Sequence, residues 1–403
     1  MRLGVIEVYG CVGQVGLKSM HTYNCFVVTA PGIARLTKGE LVSLGVSSAV
    51  ARPDGVSFSA SAPVLYAANL WLRTASRVVV RVAQFHASEF YELERRVGRI
   101  PWERFIAGNS TVEVRATCHK SRLYHSDAVA ERILEAAGRS GTKAVAGHGS
   151  YVFEPADGAS TQLVLARLVR DVCTISIDAS GELLHRRGYR QATAKAPLRE
   201  TLASALVLAS GWDGAAPLID PMCGAGTIAI EAALIASRRA PGLGRKFAFE
   251  RWPEFDGETW QAVLDAAHAR RIASPAGRIR ASDRDAGATA ATSANAARAG
   301  VEGEIEVSTR AVSAIEPPAG LGWLVTNPPY GVRTGERDRL RNLYAQLGNV
   351  ARARCQGWTL AMLAADRALA GHTGLALSTR VRTTNGGIPV EILVGAVPRP
   401  ALA

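Results

Sequence analysis

Short apolar segments alternate with longer helical segments in the chain from Pro217 onwards, and this pattern limits the fold most. The apolar segments cover residues 218–220, 278–282, 304–308, 322–326, 358–364 and 390–397. The helical segments cover residues 227–236, 286–299 and 340–353, and residues 237–276 form an insertion rich in Trp, Phe, Pro and Arg. Strands that alternate with helices indicate an open, mainly parallel sheet. We therefore predict an α/β domain that binds its ligands beyond the carboxyl ends of the strands.

The stretch Asn327-Pro328-Pro329-Tyr330 directly follows the 322–326 strand. The prolines fix φ and end the strand's hydrogen bonding, so the turn is stiff. Asn327 and the Pro328 carbonyl offer two acceptors, and Tyr330 offers a flat face for stacking. Such a group suits a planar base with an exocyclic amine, so Asn327, Pro328 and Tyr330 are the predicted catalytic residues. The alternative is an ordinary strand-to-loop turn.

The 218–220 strand runs into a glycine turn, Asp220-Pro221-Met222-Cys223-Gly224-Ala225-Gly226-Thr227. The glycines let the backbone bend tightly and approach a ligand, and Thr227 can cap the following helix. The turn matches neither G-x-G-x-x-G nor a P-loop. An acidic residue suits a cationic amino-acid group, and Asp283, after the next strand, can accept ribose hydroxyls. The alternative is a glycine turn with a helix-capping Asp. We predict an S-adenosylmethionine pocket formed by Asp220, Pro221, Cys223, Gly224, Gly226, Thr227, Asp283 and Asn327.

The N-terminal half is predicted to contain two smaller α+β units after an extension at residues 1–25, in which Met20 is an alternative start. The first unit, residues 26–82, has strands near 25–29, 56–59 and 77–82 and helices at 33–44 and 63–72. The second unit, residues 83–187, has helices at 88–99 and 128–137 and strands at 111–117, 163–168 and 172–178. The third domain, residues 188–403, opens with a basic joint and a helix at 198–210.

The formal net charge of +12 indicates a polyanionic partner, of which nucleic acid is the commonest. Residues 1–200 carry 25 Lys and Arg against 17 Asp and Glu, whereas residues 201–403 carry 22 against 18. A loop after the 111–117 strand mixes basic side chains with an aromatic ring, which suits phosphate binding and base stacking. The predicted RNA-binding residues are His119, Lys120, Arg122, Tyr124, Arg187 and Arg190. The alternatives are a solvated loop and an arginine-rich composition.

The sequence argues against several other kinds of site. Its six cysteines are scattered without a C-x-x-C pair, which argues against zinc, an iron–sulfur cluster or a disulfide framework and fits a reducing cytoplasm. His119 and His125 lack a nearby third ligand, so no metal is predicted. Cys355 has no neighbouring motif for covalent pyrimidine chemistry. No stretch approaches the ~20 apolar residues of a membrane span, and the first twenty residues do not resemble a secretory signal.

These motifs resemble the class I S-adenosylmethionine-dependent methyltransferases that act on exocyclic amines. More closely, the chain is similar to the THUMP-containing RNA guanine-N2 methyltransferases from about Phe26 to its C-terminus. Besides the glycine turn and the Asn-Pro-Pro-Tyr-Gly segment, the likeness is carried by residues 26–41, 66–74, 115–125, 187–190, 196–200 and 249–253. It implies a ferredoxin-like domain over 26–82, an RNA-binding THUMP domain over 83–187 and a Rossmann-like methyltransferase domain over 188–403. It also implies methylation of a guanine N2 amine, with 23S ribosomal RNA favoured over tRNA.

Two segments depart from the family pattern. Thr309-Arg310-Ala311-Val312 stands where an acidic residue usually holds the adenine amine, and Val332-Arg333-Thr334 replaces an acidic-then-basic pair. Either change could alter the efficiency of the enzyme.

Two other functions stay open. A DNA adenine-N6 methyltransferase would also use Asn-Pro-Pro-Tyr, and an RNA-binding protein with impaired catalysis would be consistent with Arg310.

Overall fold

The computed structural model describes residues 22–107, 110–138, 161–191, 198–272, 279–331 and 337–399. The alternative start at Met20 and the departure at Val332-Arg333-Thr334 lie outside these residues. The described chain contains two seven-stranded sheets. It includes no helix that is both long and apolar enough to cross a membrane.

The N-terminal sheet has the strand order β2-β3-β1-β4-β7-β6-β5. Its strands are β1 (Tyr23–Thr29), β2 (Val50–Arg52), β3 (Gly55–Ala60), β4 (Ala75–His86), β5 (Thr111–His119), β6 (Thr161–Val169) and β7 (Val172–Asp178). The accompanying helices are α1 (Ala34–Ser43), α2 (Ala62–Trp71), α3 (Phe90–Val97) and α4 (Ser126–Gly138). All neighbouring strands are antiparallel except β5 and β6, which are parallel.

The long strand β4 joins the two predicted N-terminal units into one sheet. Its residues 75–80 pair with β1, and its residues 79–86 pair with β7. The predicted boundary between residues 82 and 83 therefore lies inside a strand. Buried apolar residues of both units belong to one core. The domain bounds and the THUMP assignment stay predictions from the sequence.

The C-terminal sheet has the strand order β10-β9-β8-β11-β12-β14-β13. Its strands are β8 (Leu218–Asp220), β9 (Ile279–Asp283), β10 (Ile305–Thr309), β11 (Trp323–Thr326), β12 (Thr359–Ala364), β13 (Ser378–Asn385) and β14 (Ile388–Ala396). The helices are α5 (Glu200–Ala209), α6 (Thr227–Ala236), α7 (Gly257–Ala269), α8 (Ala286–Ala299), α9 (Arg337–Arg354) and α10 (Arg367–Gly371). Strands β8 to β12 are parallel, and β14 runs antiparallel to both neighbours.

This arrangement is the predicted Rossmann-like α/β fold. Successive strands run outwards in one direction from β8 to β10 and in the other from β11 to β12. The carboxyl ends of β8 and β11 therefore flank the point where the order reverses, which is where open α/β sheets bind ligands. Six of the seven strands and helices α5, α6, α8 and α9 agree with the sequence prediction. Strand β13 was missed because it lies at the sheet edge and only Val381 and Thr383 in it are buried.

The insertion between α6 and β9 packs against the N-terminal half. Helix α7 starts at the cap Asp256, whose carboxylate accepts the Thr259 N–H at 3.0 Å. The ring of Phe249 stacks on Tyr66 of α2 with 4.4 Å between the centroids. The Trp252 indole N–H donates to Gln162 of β6 at 3.0 Å. The insertion thus completes the core beneath the N-terminal sheet and joins the two halves of the molecule.

A buried ionic cluster also connects the halves. Glu231 of α6 is fully buried and accepts hydrogen bonds from the Tyr189 hydroxyl at 3.0 Å, from Ser204 and from Arg187. Arg187 also donates to the Arg73 carbonyl at 2.7 Å, and Arg73 donates to the Arg239 carbonyl at 2.7 Å. Buried charges are tolerated when they are paired and hydrogen-bonded in this way. The cluster therefore fixes how the two sheets sit against each other.

Candidate active site

The glycine turn after β8 requires glycine at residue 226. Gly226 has φ of +82° and occupies the cap position of α6. A Cβ atom there would lie 2.6 Å from Cγ2 of Thr292. Since Gly226 holds the cap position, Thr227 is the first helical residue, and the prediction that Thr227 caps α6 is wrong.

Two side chains of α8 hold the turn in place. The Thr292 hydroxyl donates to the Gly224 carbonyl at 2.8 Å, and the Asn295 amide donates to the Ala225 carbonyl at 3.0 Å. Neither residue is predictable from a sequence motif, because both lie in an alanine-rich helix. A polar residue repeated on one face of such a helix was the available signal.

Asp220 sits beneath the turn with one carboxylate oxygen unpaired. Its Oδ1 accepts the Thr326 hydroxyl at 3.0 Å and the Met222 N–H at 3.3 Å. Its Oδ2 is buried and has no hydrogen-bond partner in the described part of the chain. Burial raises the pKa of Asp220 to about 7. A buried acceptor without a donor is costly, so this oxygen is suited to a ligand that brings a charged or neutral N–H group.

Asp283 reaches the same turn from β9, the neighbouring strand. Its Oδ2 accepts the Gly224 N–H at 3.1 Å, and its Oδ1 accepts the Asp285 N–H at 3.0 Å. A carboxylate has about four lone-pair sites, so capacity remains for further donors such as hydroxyls. The fold thus brings Asp220 and Asp283 to one sheet edge, as the sequence predicted.

Arg310, the residue at the first departure from the family pattern, is engaged locally. Its backbone N–H donates to the Asp283 carbonyl at 2.9 Å, and its guanidinium lies 3.5 Å from the Glu316 carboxylate. The residue therefore stands directly beside the predicted ribose-binding aspartate. Its charge is paired with an acid from the following segment.

The Asn-Pro-Pro-Tyr segment enters the same edge from β11. Strand β11 pairs with β8, with Leu324 opposite Ile219. Pro328 is buried, whereas Asn327 is half-buried. The Tyr344 hydroxyl of α9 donates to the Pro329 carbonyl at 3.2 Å and holds the turn from behind. The predicted target-binding and cofactor-binding segments are therefore neighbours.

The Tyr330 hydroxyl makes two hydrogen bonds that the sequence did not indicate. It donates to Oδ1 of Asn327 at 2.7 Å and accepts from the Asn385 amide of β13 at 3.0 Å. Burial raises the pKa of Tyr330 to about 12, which keeps the phenol protonated and able to donate. The ring also packs against the apolar core of the C-terminal domain. Tyr330 is thus half-buried and hydrogen-bonded through its hydroxyl, and the stacking of its ring on a base stays a prediction.

The basic loop after β5 is exposed but internally braced. The Arg122 N–H donates to Asp171 at 2.7 Å, and the Asp171 N–H donates to Ser121 at 3.0 Å. Leu123 is buried and anchors the loop. Its ring-bearing residue, Tyr124, is 69% exposed. The side chains that the sequence singled out here all face solvent, namely His119 at the end of β5 and Lys120, Arg122 and Tyr124 in the loop.

The two remaining predicted RNA contacts lie in the joint and are occupied by protein partners. The Arg187 side chain is 3% exposed and pairs with Glu231. The Arg190 side chain is 17% exposed, pairs with Glu200 at 3.2 Å and donates to the Leu198 carbonyl at 2.9 Å. The structure corrects this part of the prediction: the fold uses both guanidiniums to tie the joint to α5 and α6.

Metal ligation finds no support in the described residues. They contain no group of three or more His, Cys, Asp or Glu side chains that could hold an ion.

Two family models match the chain. One, described as the RMKL-like methyltransferase domain, covers residues 187–392, and the other, the RlmL ferredoxin-like domain, covers residues 24–79. The chain is 37% identical over 382 residues to a ribosomal RNA large subunit methyltransferase K/L from Syntrophotalea carbinolica. The match covers 91% of this chain but 53% of that relative. The chain therefore spans about half the length of the K/L methyltransferase.

A second relative and a solved structure match over almost their whole lengths. "Putative RNA methyltransferase slr0064" from Synechocystis sp. is 34% identical over 376 residues, which are 93% of this chain and 97% of that protein. The structure of SMU.472, solved as a complex with SAH, has a TM-score of 0.84 and 26% identity. It covers 96% of this chain and 100% of that one.

Proposed function

The chain belongs to the RMKL-like methyltransferase family, and from this we propose that it transfers a methyl group from S-adenosylmethionine to the N2 amine of a guanine in 23S ribosomal RNA. One observation carries the proposal. The unpaired carboxylate oxygen of Asp220 and the Asn-Pro-Pro-Tyr segment lie on adjacent strands at the edge where the strand order reverses.

The cofactor is S-adenosylmethionine, and the residues at this edge have the chemistry to hold it. It supplies an electrophilic methyl group on a positive sulfur. Asp220 would take the cationic amino-acid end, Gly224 and Gly226 would allow close approach of the backbone, and Asp283 would accept the ribose hydroxyls. The orphaned Oδ2 of Asp220 is the strongest sign of fit, because it otherwise lacks a donor.

The target amine would be bound by Asn327 and the Pro328 carbonyl. The lone pair of the guanine N2 amine is delocalised into the ring, which makes the amine a weak nucleophile. Two acceptors on its N–H groups would draw the nitrogen toward a tetrahedral shape and aim its lone pair at the methyl group. The chain then contributes mainly positioning and electrostatics. Tyr330 would stack on a base that has left its helix.

The basic loop after β5 would contact RNA away from the reacting base. Lys120 and Arg122 are exposed cations, and Tyr124 beside them offers an exposed ring. This combination suits an unpaired segment of RNA, which presents phosphates and free bases together. The bracing of the loop by Asp171 limits the conformational entropy that binding would cost.

Methyl transfer from labelled S-adenosylmethionine to separate pools of unmodified ribosomal RNA, tRNA and DNA tests the proposal. We expect N2-methylguanosine in the ribosomal RNA pool. Asn327→Ala should lower the rate at least ~100-fold, by analogy with the loss of one transition-state hydrogen bond, while cofactor binding persists. Label in the tRNA pool would mean that tRNA is the substrate instead of ribosomal RNA. N6-methyladenine in the DNA pool would mean that the protein is a DNA adenine methyltransferase. Absence of transfer to every pool would leave an RNA-binding protein.

A further inference from the structure

The hairpin between β13 and β14 brings one asparagine to the predicted target site. Asn385 is the last residue of β13 and pairs with Ile388 across the turn. Between them, Gly386 and Gly387 have φ of +58° and +86°. Two consecutive positive φ angles characterise a tight two-residue hairpin turn. The position of Asn385 is therefore set by the hairpin.

The N-terminal half holds this hairpin in place. The turn before α1 approaches β13 so closely that a Cβ on Gly32 would lie 2.0 Å from the Arg382 carbonyl oxygen. Ile33 and Val381 are buried in the same apolar cluster. The edge strand is thus pressed between β14 and the N-terminal domain, so Asn385 sits on a supported element.

The hydrogen bonds from Asn385 to Asn327 have a defined direction. The amide N–H of Asn385 can only donate, so the Tyr330 oxygen accepts there at 3.0 Å. The single hydroxyl proton of Tyr330 then goes to Oδ1 of Asn327 at 2.7 Å. If the Asn385 site offered only an acceptor, the Tyr330 proton would turn to it. Tyr330 would then accept from Asn327, whose amide would be turned over.

We propose that Asn385 is a positioning residue for methyl transfer: through Tyr330 it sets which end of the Asn327 amide meets the target amine. The inference rests on the proposed function and deepens it. Oδ1 of Asn327 has two lone pairs, so it can accept from Tyr330 and from the amine together. A turned amide would instead present N–H groups to the amine, which repels it. Asn385 therefore acts on the catalytic step without touching the base.

Variants at residue 385 separate this role from simple support of the hairpin. Asn385→Ala removes the donor, and Asn385→Asp keeps the size and shape but offers only acceptors. We expect kcat to fall about fivefold in Asn385→Ala, the worth of one hydrogen bond. It should fall further in Asn385→Asp, with KM for RNA and cofactor within about twofold of wild type. Thr384→Ala, an exposed change in the same strand, is the matched control and should retain wild-type kcat.

A double-mutant cycle with Tyr330→Phe completes the test, because phenylalanine keeps the ring and removes the link. In that background neither substitution at residue 385 should lower kcat further. Equal losses for Ala and Asp, losses that persist with Tyr330→Phe, or changes confined to KM would each overturn the proposal.

A second readout does not depend on activity. The nitrogen-15 side-chain amide signal of Asn327 is assigned by its loss in Asn327→Ala. This signal should shift between the wild type and Asn385→Asp. It should not shift between Tyr330→Phe and the double variant that carries Tyr330→Phe and Asn385→Asp. If the wild-type chain methylates no RNA, the proposed function fails, whereas this signal still decides whether Asn385 orients Asn327. An unchanged signal in Asn385→Asp would overturn the inference on its own.

Discussion

The hydroxyl of Thr326 donates a 3.0 Å hydrogen bond to Oδ1 of Asp220 and so joins the carboxyl ends of β11 and β8. Thr326 is the residue immediately before Asn327. The predicted cofactor-binding carboxylate and the predicted target-binding amide are thereby connected through one side chain and one peptide bond. The two predicted binding segments are therefore held together by a direct hydrogen bond at this edge of the sheet.

Cofactor affinity should depend on pH through Asp220. Burial raises the pKa of this carboxyl to about 7, so a large part of it is protonated in slightly acidic solution. A cationic ligand prefers the ionised form. Between about pH 5.5 and pH 7, below the range in which an α-amino group titrates, the association constant should rise roughly tenfold. Calorimetry with S-adenosylmethionine measures this rise. The Asp220→Asn variant should bind S-adenosylmethionine more weakly, and its association constant should not rise with pH in this range. An unchanged rise in this variant would mean that another group causes the pH dependence.

The stability of the free protein should show the opposite trend at this residue. The pKa of Asp220 is raised in the folded state, so the folded protein holds its proton more tightly than the unfolded chain. Its contribution is fully present below the unfolded pKa of about 4 and is lost as the pH rises through about 7. The melting temperature measured from pH 4 to pH 8 should therefore fall more steeply for the wild type than for Asp220→Asn. Parallel curves would contradict the prediction.

Replacement of Gly226 by alanine should disrupt the turn for two reasons. The new Cβ would meet Thr292 at 2.6 Å, and φ of +82° is strained for any residue with a side chain. We expect a loss of about 2 to 4 kcal/mol in unfolding free energy, from strain and overpacking together, and weaker cofactor binding. Gly211→Ala is the matched control, because Gly211 has φ of +77° with open space around it. It should lose only about 1 kcal/mol. Equal losses of unfolding free energy in the two variants would mean that the Thr292 side chain moves away and relieves the clash.

Removal of Glu231 should destabilise the joint between the two halves. Glu231→Ala would leave Arg187 and the Tyr189 hydroxyl buried without their partner. Breaking a buried pair in this way costs about 3 to 5 kcal/mol. By contrast, Glu113→Ala removes the partly exposed Arg115 pair and should cost at most about 1 kcal/mol. Denaturant unfolding of both variants gives the comparison. Similar small losses would indicate that the cluster relaxes or admits water.

RNA affinity should depend on the ring of Tyr124. If an unpaired base stacks there, Tyr124→Ala should weaken binding by about 1 to 3 kcal/mol, whereas Tyr124→Phe should retain most of it. Neither change should alter stability much, since the ring is exposed. Filter binding to ribosomal RNA fragments measures the affinities. Equal weakening by Ala and Phe would indicate that the hydroxyl, not the ring, makes the contact.

Substitution of Arg187 tests whether this residue stabilises the fold or binds RNA. Because its guanidinium pairs with buried Glu231, Arg187→Ala should lower the unfolding free energy by about 3 to 5 kcal/mol. RNA affinity of the folded variant should stay near that of the wild type, while Arg122→Ala should weaken RNA binding without loss of stability. Reduced RNA affinity of a fully folded Arg187→Ala protein would restore the original prediction from the sequence.

Local patterns were enough to predict most elements and the glycine turn after β8. Strand β7 and helices α6 and α8 have the predicted bounds, because burial periodicity and turn residues act within a few positions of the chain. The glycine turn and Asn-Pro-Pro-Tyr were recognisable for the same reason, since each is a short continuous stretch. The alternation of strands and helices then determines that both end at the same edge of a parallel sheet.

Contacts between distant segments were decided only by the tertiary structure. Thr292 and Asn295 brace a turn about 70 positions earlier, and Asn385 reaches Tyr330 from a strand too polar to be noticed. Arg187 looks like an RNA contact in a basic run but is buried against Glu231. A residue's type and neighbours determine its local conformation, whereas its partners depend on how sheets and helices pack. For this protein the sequence determined the site's two motifs, and packing decided which side chains support them.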